Sequence, residues 1–170
     1  MRRMQNEPVN SSPTTTYNIL FVCTGNTCRS PMAEALARAE LTKRGWMNVQ
    51  VGSAGTSAEA GATASHHARV VARRRGLDLE QHVSRPLEGA LVDWADLILV
   101  MSASHRFAVG ELGGGSKVAL LADFAAGEDG TGEPVSDPYG GPEEVYEDTI
   151  RQLEWLIARA LDRLAPILHP

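Results

Sequence analysis

Ile19-Leu20-Phe21-Val22-Cys23-Thr24-Gly25-Asn26-Thr27-Cys28-Arg29-Ser30-Pro31 is the stretch that decides the fold. An apolar run stops at a cysteine, a loop with a glycine and an asparagine follows, and Arg-Ser-Pro opens a helical pattern. This order predicts a strand, an anion-binding loop and a helix N-terminus. Backbone N–H groups and the positive end of a helix both favour a bound oxyanion. They also favour the thiolate of Cys23, the nucleophilic form of cysteine.

Working outward, Tyr17 to Val22 reads as a strand buried on both faces. Met32, Ala35, Leu36 and Ala39 recur at helical spacing from Pro31 to Arg44, with Ser30 as the expected N-cap, Pro31 at the first helical position and Gly45 as the stop. Val49 to Ala54 is a second strand that breaks at Gly55. The loop Thr56 to Ala64 is rich in small residues. His66 to Arg75 reads as a helix, Leu77 to Leu87 as an irregular connection and Leu87 to Ala95 as a short helix. Leu97 to Met101 is a buried strand, Ser104 to Leu112 a helix, and Lys117 to Leu121 a fourth strand. Asp123 to Gly141 reads as one long loop, of a length that is usually functional or disordered. The last helix runs from Pro142 to Leu164, with Tyr146, Ile150, Leu153, Ile157, Ala160 and Leu164 in a stripe. Strands alternating with helices predict a single three-layer α/β domain over residues 17–166. Its four-stranded parallel sheet would have helices on both faces and a phosphate-binding loop after the first strand. In such a sheet ligands bind beyond the carboxyl ends of the strands, where Cys23 falls. Met1 to Thr16 is polar and reads as a disordered arm.

Composition narrows the class. With 170 residues, 43% hydrophobic and 22% charged, the chain suits one soluble domain. A net charge of −5 argues against a nucleic-acid partner. Arg73-Arg74-Arg75 is a local exception, a solvated helix face or a docking patch. No apolar run is long enough for a membrane span and no signal peptide is visible. Two closely spaced cysteines do not form a disulfide framework, and the expected setting is the reducing cytoplasm.

Cys23 and Arg29 form Cys-x5-Arg, followed by Ser30. Five residues can curl around one tetrahedral oxyanion while the arginine fork closes the ring on two oxygens. Gly25 allows positive φ and Asn26 tolerates the left-handed region and can brace the loop. Ser30 can donate a hydrogen bond to the thiolate. The bland readings are a structural cysteine or a metal-ligand pair with Cys28, but no further ligand pair exists for zinc. Metals and cofactors are expected to be absent from the site. An Asp-Pro such as Asp137-Pro138 is by itself most often a turn.

Val22 to Glu34 resembles the signature of the low-molecular-weight protein tyrosine phosphatase family. Ser53-Ala54-Gly55-Thr56, Ser84-Arg85-Pro86-Leu87, Ala95 to Met101 and Asp137-Pro138-Tyr139 stand in that family's order. The resemblance spans about Tyr17 to Leu164. It implies Cys23 as nucleophile, Arg29 as the phosphoryl-binding group and Asp137 as general acid. Thr24, Gly25, Asn26, Thr27, Cys28, Ser30 and Tyr139 would bind the substrate, a phosphorylated protein, and the loop would hold inorganic phosphate or a similar oxyanion. Turnover would pass through a phosphocysteine, with Cys23 ionised and Asp137 protonated together, so the pH profile would be bell-shaped with its optimum on the acid side of neutral.

Thr27 points to the substrate. Many tyrosine-selective members carry a larger apolar residue there, and threonine resembles the branch that acts on protein phosphoarginine. Gly140-Gly141 after Tyr139, and no Trp, Phe or Tyr in the loop after Gly55, fit the same branch; a neutral swap at Thr27 is the bland alternative. The expected function is thus a protein arginine phosphatase, and the alternative is a protein tyrosine phosphatase of the low-molecular-weight type. An arsenate reductase would need cysteines after Cys28, and a silent phospho-residue binding module would be expected to lose Cys23, Arg29 or Asp137. Cys28 is either a loop-packing residue or a resolving thiol for oxidised Cys23. His66 and His105 read as loop-bracing groups, His67 and His82 as surface, and Trp46, Trp94 and Trp155 as packing residues.

Overall fold

The computed structural model describes residues 16–168. The expected arm lies outside the described residues except for Thr16, as does His169. Four strands, β1 (Tyr17–Cys23), β2 (Val49–Gly55), β3 (Leu97–Val100) and β4 (Val118–Leu120), form one parallel sheet in the order β2-β1-β3-β4. The helices are α1 (Arg29–Arg44), α2 (His66–Arg73), α3 (Gly89–Trp94), α4 (Ala103–Glu111), α5 (Leu121–Ala126) and α6 (Glu143–Leu168). Among the described residues no helix is long and apolar enough to cross a membrane.

The unbroken apolar runs of β1 and β3 are explained by burial on both faces. Ile19, Phe21 and Leu99 point into one cluster with Met32 and Leu36 of α1, Val71 of α2, Leu121 of α5 and Ile150 and Leu153 of α6. Leu20, Val22, Ile98 and Val100 point to the other side, against Val92 of α3 and Val109 of α4. The predicted stripe of α6 is buried at every position. Sheet order reverses at β1: β2 lies on one side and β3 on the other. The carboxyl ends of β1 and β3 therefore border a crevice, where open α/β sheets hold ligands.

Several elements depart from the sequence reading. The supposed loop after Asp123 begins inside α5, whose Leu121 and Ala122 are buried and whose Phe124 ring stacks under the Arg163 guanidinium at 4.2 Å. Six residues are too few to show a helical period, so tertiary contact with α6 decides the conformation. The last helix continues past Leu164 to Leu168, with Pro166 in its final turns. Trp46 is buried and Trp94 packs on the second cluster, but Trp155 is exposed on the outer face of α6. Arg73-Arg74-Arg75 is a surface face laced with ion pairs: Arg73 and Arg74 are solvated, as one reading expected, and Arg75 is largely covered. Arg73 pairs with Glu80, Arg74 with Glu143 and Glu147, and Arg75 with Glu147 and Glu154. Arg74 and Arg75 tie the end of α2 to α6, while Arg73 ties it to the connection that follows.

Candidate active site

β1 delivers Cys23 to the crevice, its Cα paired with Gly55 at the end of β2. A Cβ at Gly55 would lie 2.5 Å from the Thr24 carbonyl oxygen and 2.9 Å from the Asn26 nitrogen, so only glycine lets the loop settle on β2. Of the two residues suited to it, the backbone turns left-handed at Asn26 (φ 55) and not at Gly25. A side chain that can satisfy its own loop replaces glycine's freedom at that point.

Asn26 is fully buried and organises the loop. Its Nδ2 donates to Ser30 Oγ (2.7 Å) and Ser53 Oγ (3.0 Å), and its Oδ1 accepts the Arg85 backbone N–H (3.0 Å). Its carbonyl accepts a hydrogen bond from His82 Nε2 at 2.7 Å. His82 is thus a loop brace and not a surface residue. The expected brace His66 is instead exposed, its ring tilted against that of His67 with centroids 5.4 Å apart. His105 does reach the loop: its Nε2 lies 2.8 Å from Thr24 Oγ1.

Ser30 does not cap α1 as expected. The helix starts two residues earlier than Pro31, at Arg29, and Cys28 holds the N-cap position without a side-chain cap. Pro31 is accordingly the third helical residue, where a missing N–H still costs nothing. Released from capping, Ser30 turns to Cys23. Its backbone N–H donates to Cys23 Sγ at 3.4 Å and its Oγ lies 2.9 Å from the same sulfur. Orphan donors of the first helical turn, together with the helix dipole, favour negative charge on that sulfur.

Arg29 is buried, and its guanidinium is aimed by the protein. Nη1 donates to the Val135 carbonyl at 2.9 Å, and Val135 is itself held by its N–H to the Met101 carbonyl at the end of β3. Nη2 donates to Thr24 Oγ1 at 3.4 Å and lies 3.6 Å from Asp137 Oδ2. Nε is buried and has no hydrogen-bond partner. Asp137 is half exposed, and its Oδ1 accepts the Tyr139 N–H at 3.1 Å. Gly140 (φ 82) closes the turn from Pro138 to Gly141, leaving Tyr139 exposed at the rim.

Cys23, Thr24, Gly25, Thr27, Cys28, Arg29, Asp137 and Tyr139 line one cavity of about 360 Å³, with Ser57, Glu59 and Ala62 on its far wall. The residues expected to bind or transform the substrate thus line this cavity, except Asn26 and Ser30, which brace it from behind. The far wall was not legible in the sequence. It is pinned by Ser84, whose Oγ donates to the Glu59 carbonyl and accepts the Ala62 N–H at 2.9 Å. The Ser84 backbone adds a bond from Gly61 N and one to the Ala62 carbonyl. Both cysteines are free; Cys28 is buried with its sulfur 3.3 Å from Ser65 Oγ and 3.4 Å from the Tyr146 hydroxyl. Burial first, then the hydrogen bond with Cys28, pushes the Tyr146 phenol up to about 12. Among the described residues, no three His, Cys, Asp or Glu side chains converge where a metal ion could be held.

Comparison with known proteins agrees with this geometry. The family model described as low molecular weight phosphotyrosine protein phosphatase matches residues 18–166. The chain is 41% identical over 150 residues to the protein-arginine-phosphatase of Geobacillus stearothermophilus, covering 87% of this chain and 96% of that one. Against the protein-arginine-phosphatase of Bacillus subtilis it is 39% identical over 149 residues, covering 86% and 96%. The solved structure of the YwlE arginine phosphatase, a mutant with a phosphorylated active-site serine, superposes with a TM-score of 0.83 at 37% identity, covering 88% of this chain and 97% of that one. With its parallel sheet, its Cys-x5-Arg loop and a family match over nearly all the described residues, the chain belongs to the low molecular weight phosphotyrosine protein phosphatase family.

Proposed function

We propose that this protein hydrolyses phosphoarginine in proteins through a phosphocysteine on Cys23. The observation that carries the reading is Arg29 Nε, a buried donor without a protein acceptor, in the cavity that also holds Cys23. A buried donor left unpaired costs roughly 1–3 kcal/mol unless a ligand accepts from it. Nε and Nη2 together make the fork that grips two oxygens of a phosphoryl group. The Cys23 thiolate attacks phosphorus and the P–N bond breaks. Asp137 hands its proton to the departing guanidine nitrogen. Asp137 then takes a proton from the water that attacks the phosphocysteine, releasing phosphate and restoring the thiolate. Arg29 and the loop N–H groups hold the phosphoryl oxygens throughout.

Two observations favour phosphoarginine. Thr27 and Ser57, not aromatic or larger aliphatic side chains, line the cavity beside the nucleophile. The two protein-arginine-phosphatases match over nearly their whole length. The second reading, phosphotyrosine hydrolysis, rests on Tyr139, an exposed ring at the rim that could stack on a phenol. Two free thiols suit a reducing compartment, so we assign phosphorylated proteins of the cytoplasm as substrates.

The test is kcat/KM on phosphoarginine and phosphotyrosine peptides for the parent, Thr27→Ile and Cys23→Ser. The parent should prefer phosphoarginine, Thr27→Ile should shift toward phosphotyrosine, and Cys23→Ser should turn over neither. A parent that prefers phosphotyrosine overturns the arginine assignment. Substantial turnover by Cys23→Ser overturns the mechanism.

A further inference from the structure

His105 and Thr24 form a relay that the chemistry above does not use. His105 is buried at the third position of α4, where it completes a capping box with Ser102. Its Nδ1 accepts the Ser102 backbone N–H at 3.2 Å. A ring nitrogen that accepts from an amide carries no proton, so the ring's proton resides on Nε2. Burial above all, and then the charge of Arg29, lower this imidazole to about 4, with Asp137 opposing them. A neutral ring of this tautomer can only donate to Thr24 Oγ1, 2.8 Å away.

Thr24 Oγ1 also receives Arg29 Nη2 at 3.4 Å. A hydroxyl oxygen has two acceptor sites and one proton. Both acceptor sites are taken, and neither partner can accept in return. Among the described residues no other group is hydrogen-bonded to this hydroxyl. Thr24 is exposed and lines the cavity with Cys23, Arg29 and Asp137.

We propose that the Thr24 hydroxyl is an additional donor to the bound phosphoryl group, and that His105 is a positioning residue that aims it. By occupying one acceptor site, the His105 Nε2–H turns the Thr24 proton into the cavity and keeps its oxygen facing Arg29 Nη2. The relay rests on the proposed phosphatase reading. It adds to that reading a side-chain donor next to the arginine fork and a residue outside the loop that controls it.

The experiment compares the parent with Thr24→Val, Thr24→Ser, His105→Leu, His105→Gln and the Thr24→Val/His105→Leu double variant. The readouts are kcat and KM on a phosphoarginine peptide, and the dissociation constant of inorganic phosphate by calorimetry. Thr24→Val and His105→Leu should each lower kcat/KM roughly tenfold or more and weaken phosphate binding. Serine and glutamine, which keep the hydroxyl and a donor at Nε2, should restore both to within about threefold, and the double variant should be no worse than the poorer single one. Parent-like phosphate affinity in Thr24→Val, or losses that multiply in the double variant, would overturn the relay. If His105→Leu does not fold, the Thr24→Val and Thr24→Ser pair still decides. A parent that binds phosphate without hydrolysing phosphoarginine overturns the functional reading alone, and the phosphate affinities then judge the relay.

Discussion

The Ser30 hydroxyl oxygen lies 2.9 Å from the Cys23 sulfur, and Asn26 decides which of the two donates. Asn26 Nδ2 donates to Ser30 Oγ at 2.7 Å, so the Ser30 proton must point elsewhere. The Cys23 sulfur is nearer than the alternative acceptor, the Ala54 carbonyl at 3.4 Å. The hydroxyl is therefore set to favour sulfur in its anionic form, and Ser53 behind it holds the asparagine in place.

Ser30→Ala removes that donor while leaving Asn26 its bond to Ser53. A hydrogen bond to a charged group is worth roughly 1.5–3 kcal/mol, so turnover should fall by about tenfold or more. Alkylation of Cys23 by iodoacetamide at pH 6 should slow in step. Alkylation at the parent rate would mean that the hydroxyl gives the sulfur nothing.

Asp137→Asn keeps the shape of the rim turn and removes the proton. Loss of a positioned general acid costs roughly 10²–10⁴ in rate, and most where the leaving group is basic. A series of aryl phosphates of graded leaving-group acidity should show a steeper dependence in the variant than in the parent. Equal slopes would transfer the acid role to another group.

Ser84→Ala leaves the Ala62 N–H and the Glu59 carbonyl without their partner. Destabilisation of roughly 1–3 kcal/mol is expected in urea unfolding. Because Glu59 and Ala62 line the cavity, KM should rise more than kcat falls. An unchanged KM with reduced stability would make the clamp purely architectural.

Acid should weaken the fold through His105. The buried ring stays neutral down to about 4, whereas in the unfolded chain it takes a proton near 6.5. Between those values the unfolded chain binds more protons, so this contribution is complete above pH 6.5 and is lost as pH falls toward 4. The parent should lose on the order of 2 kcal/mol more than His105→Gln between pH 7 and pH 4.5. Parallel urea midpoints for the two proteins across that range would refute it.

Legibility followed distance along the chain. Residues 19–31 could be read because strand, loop and helix are contiguous and each obeys a local rule. The braces could not. His82 contacts Asn26 across 56 positions, and Ser53 across 27, so no period or spacing marks them. His82 stood in a stretch that looked irregular, and only the folded loop shows what its ring is for. The N-cap of α1 was misplaced for a related reason. Serine caps helices well, but here a sulfur seven residues earlier competes for the same hydroxyl and wins. The α5 helix was hidden by its brevity, and Trp155 was judged by residue type when its place on the outer face of α6 governs its exposure.

Cys28 in the loop touches Tyr146 of α6, 118 residues further on. During synthesis the ribosome releases Cys23 and Arg29 early, while α6, which packs on their loop at Cys28, emerges far later. The loop's buried contact with α6 is thus completed only once translation has passed Tyr146, so the last helix is the part of the chain that finishes the setting of the first loop.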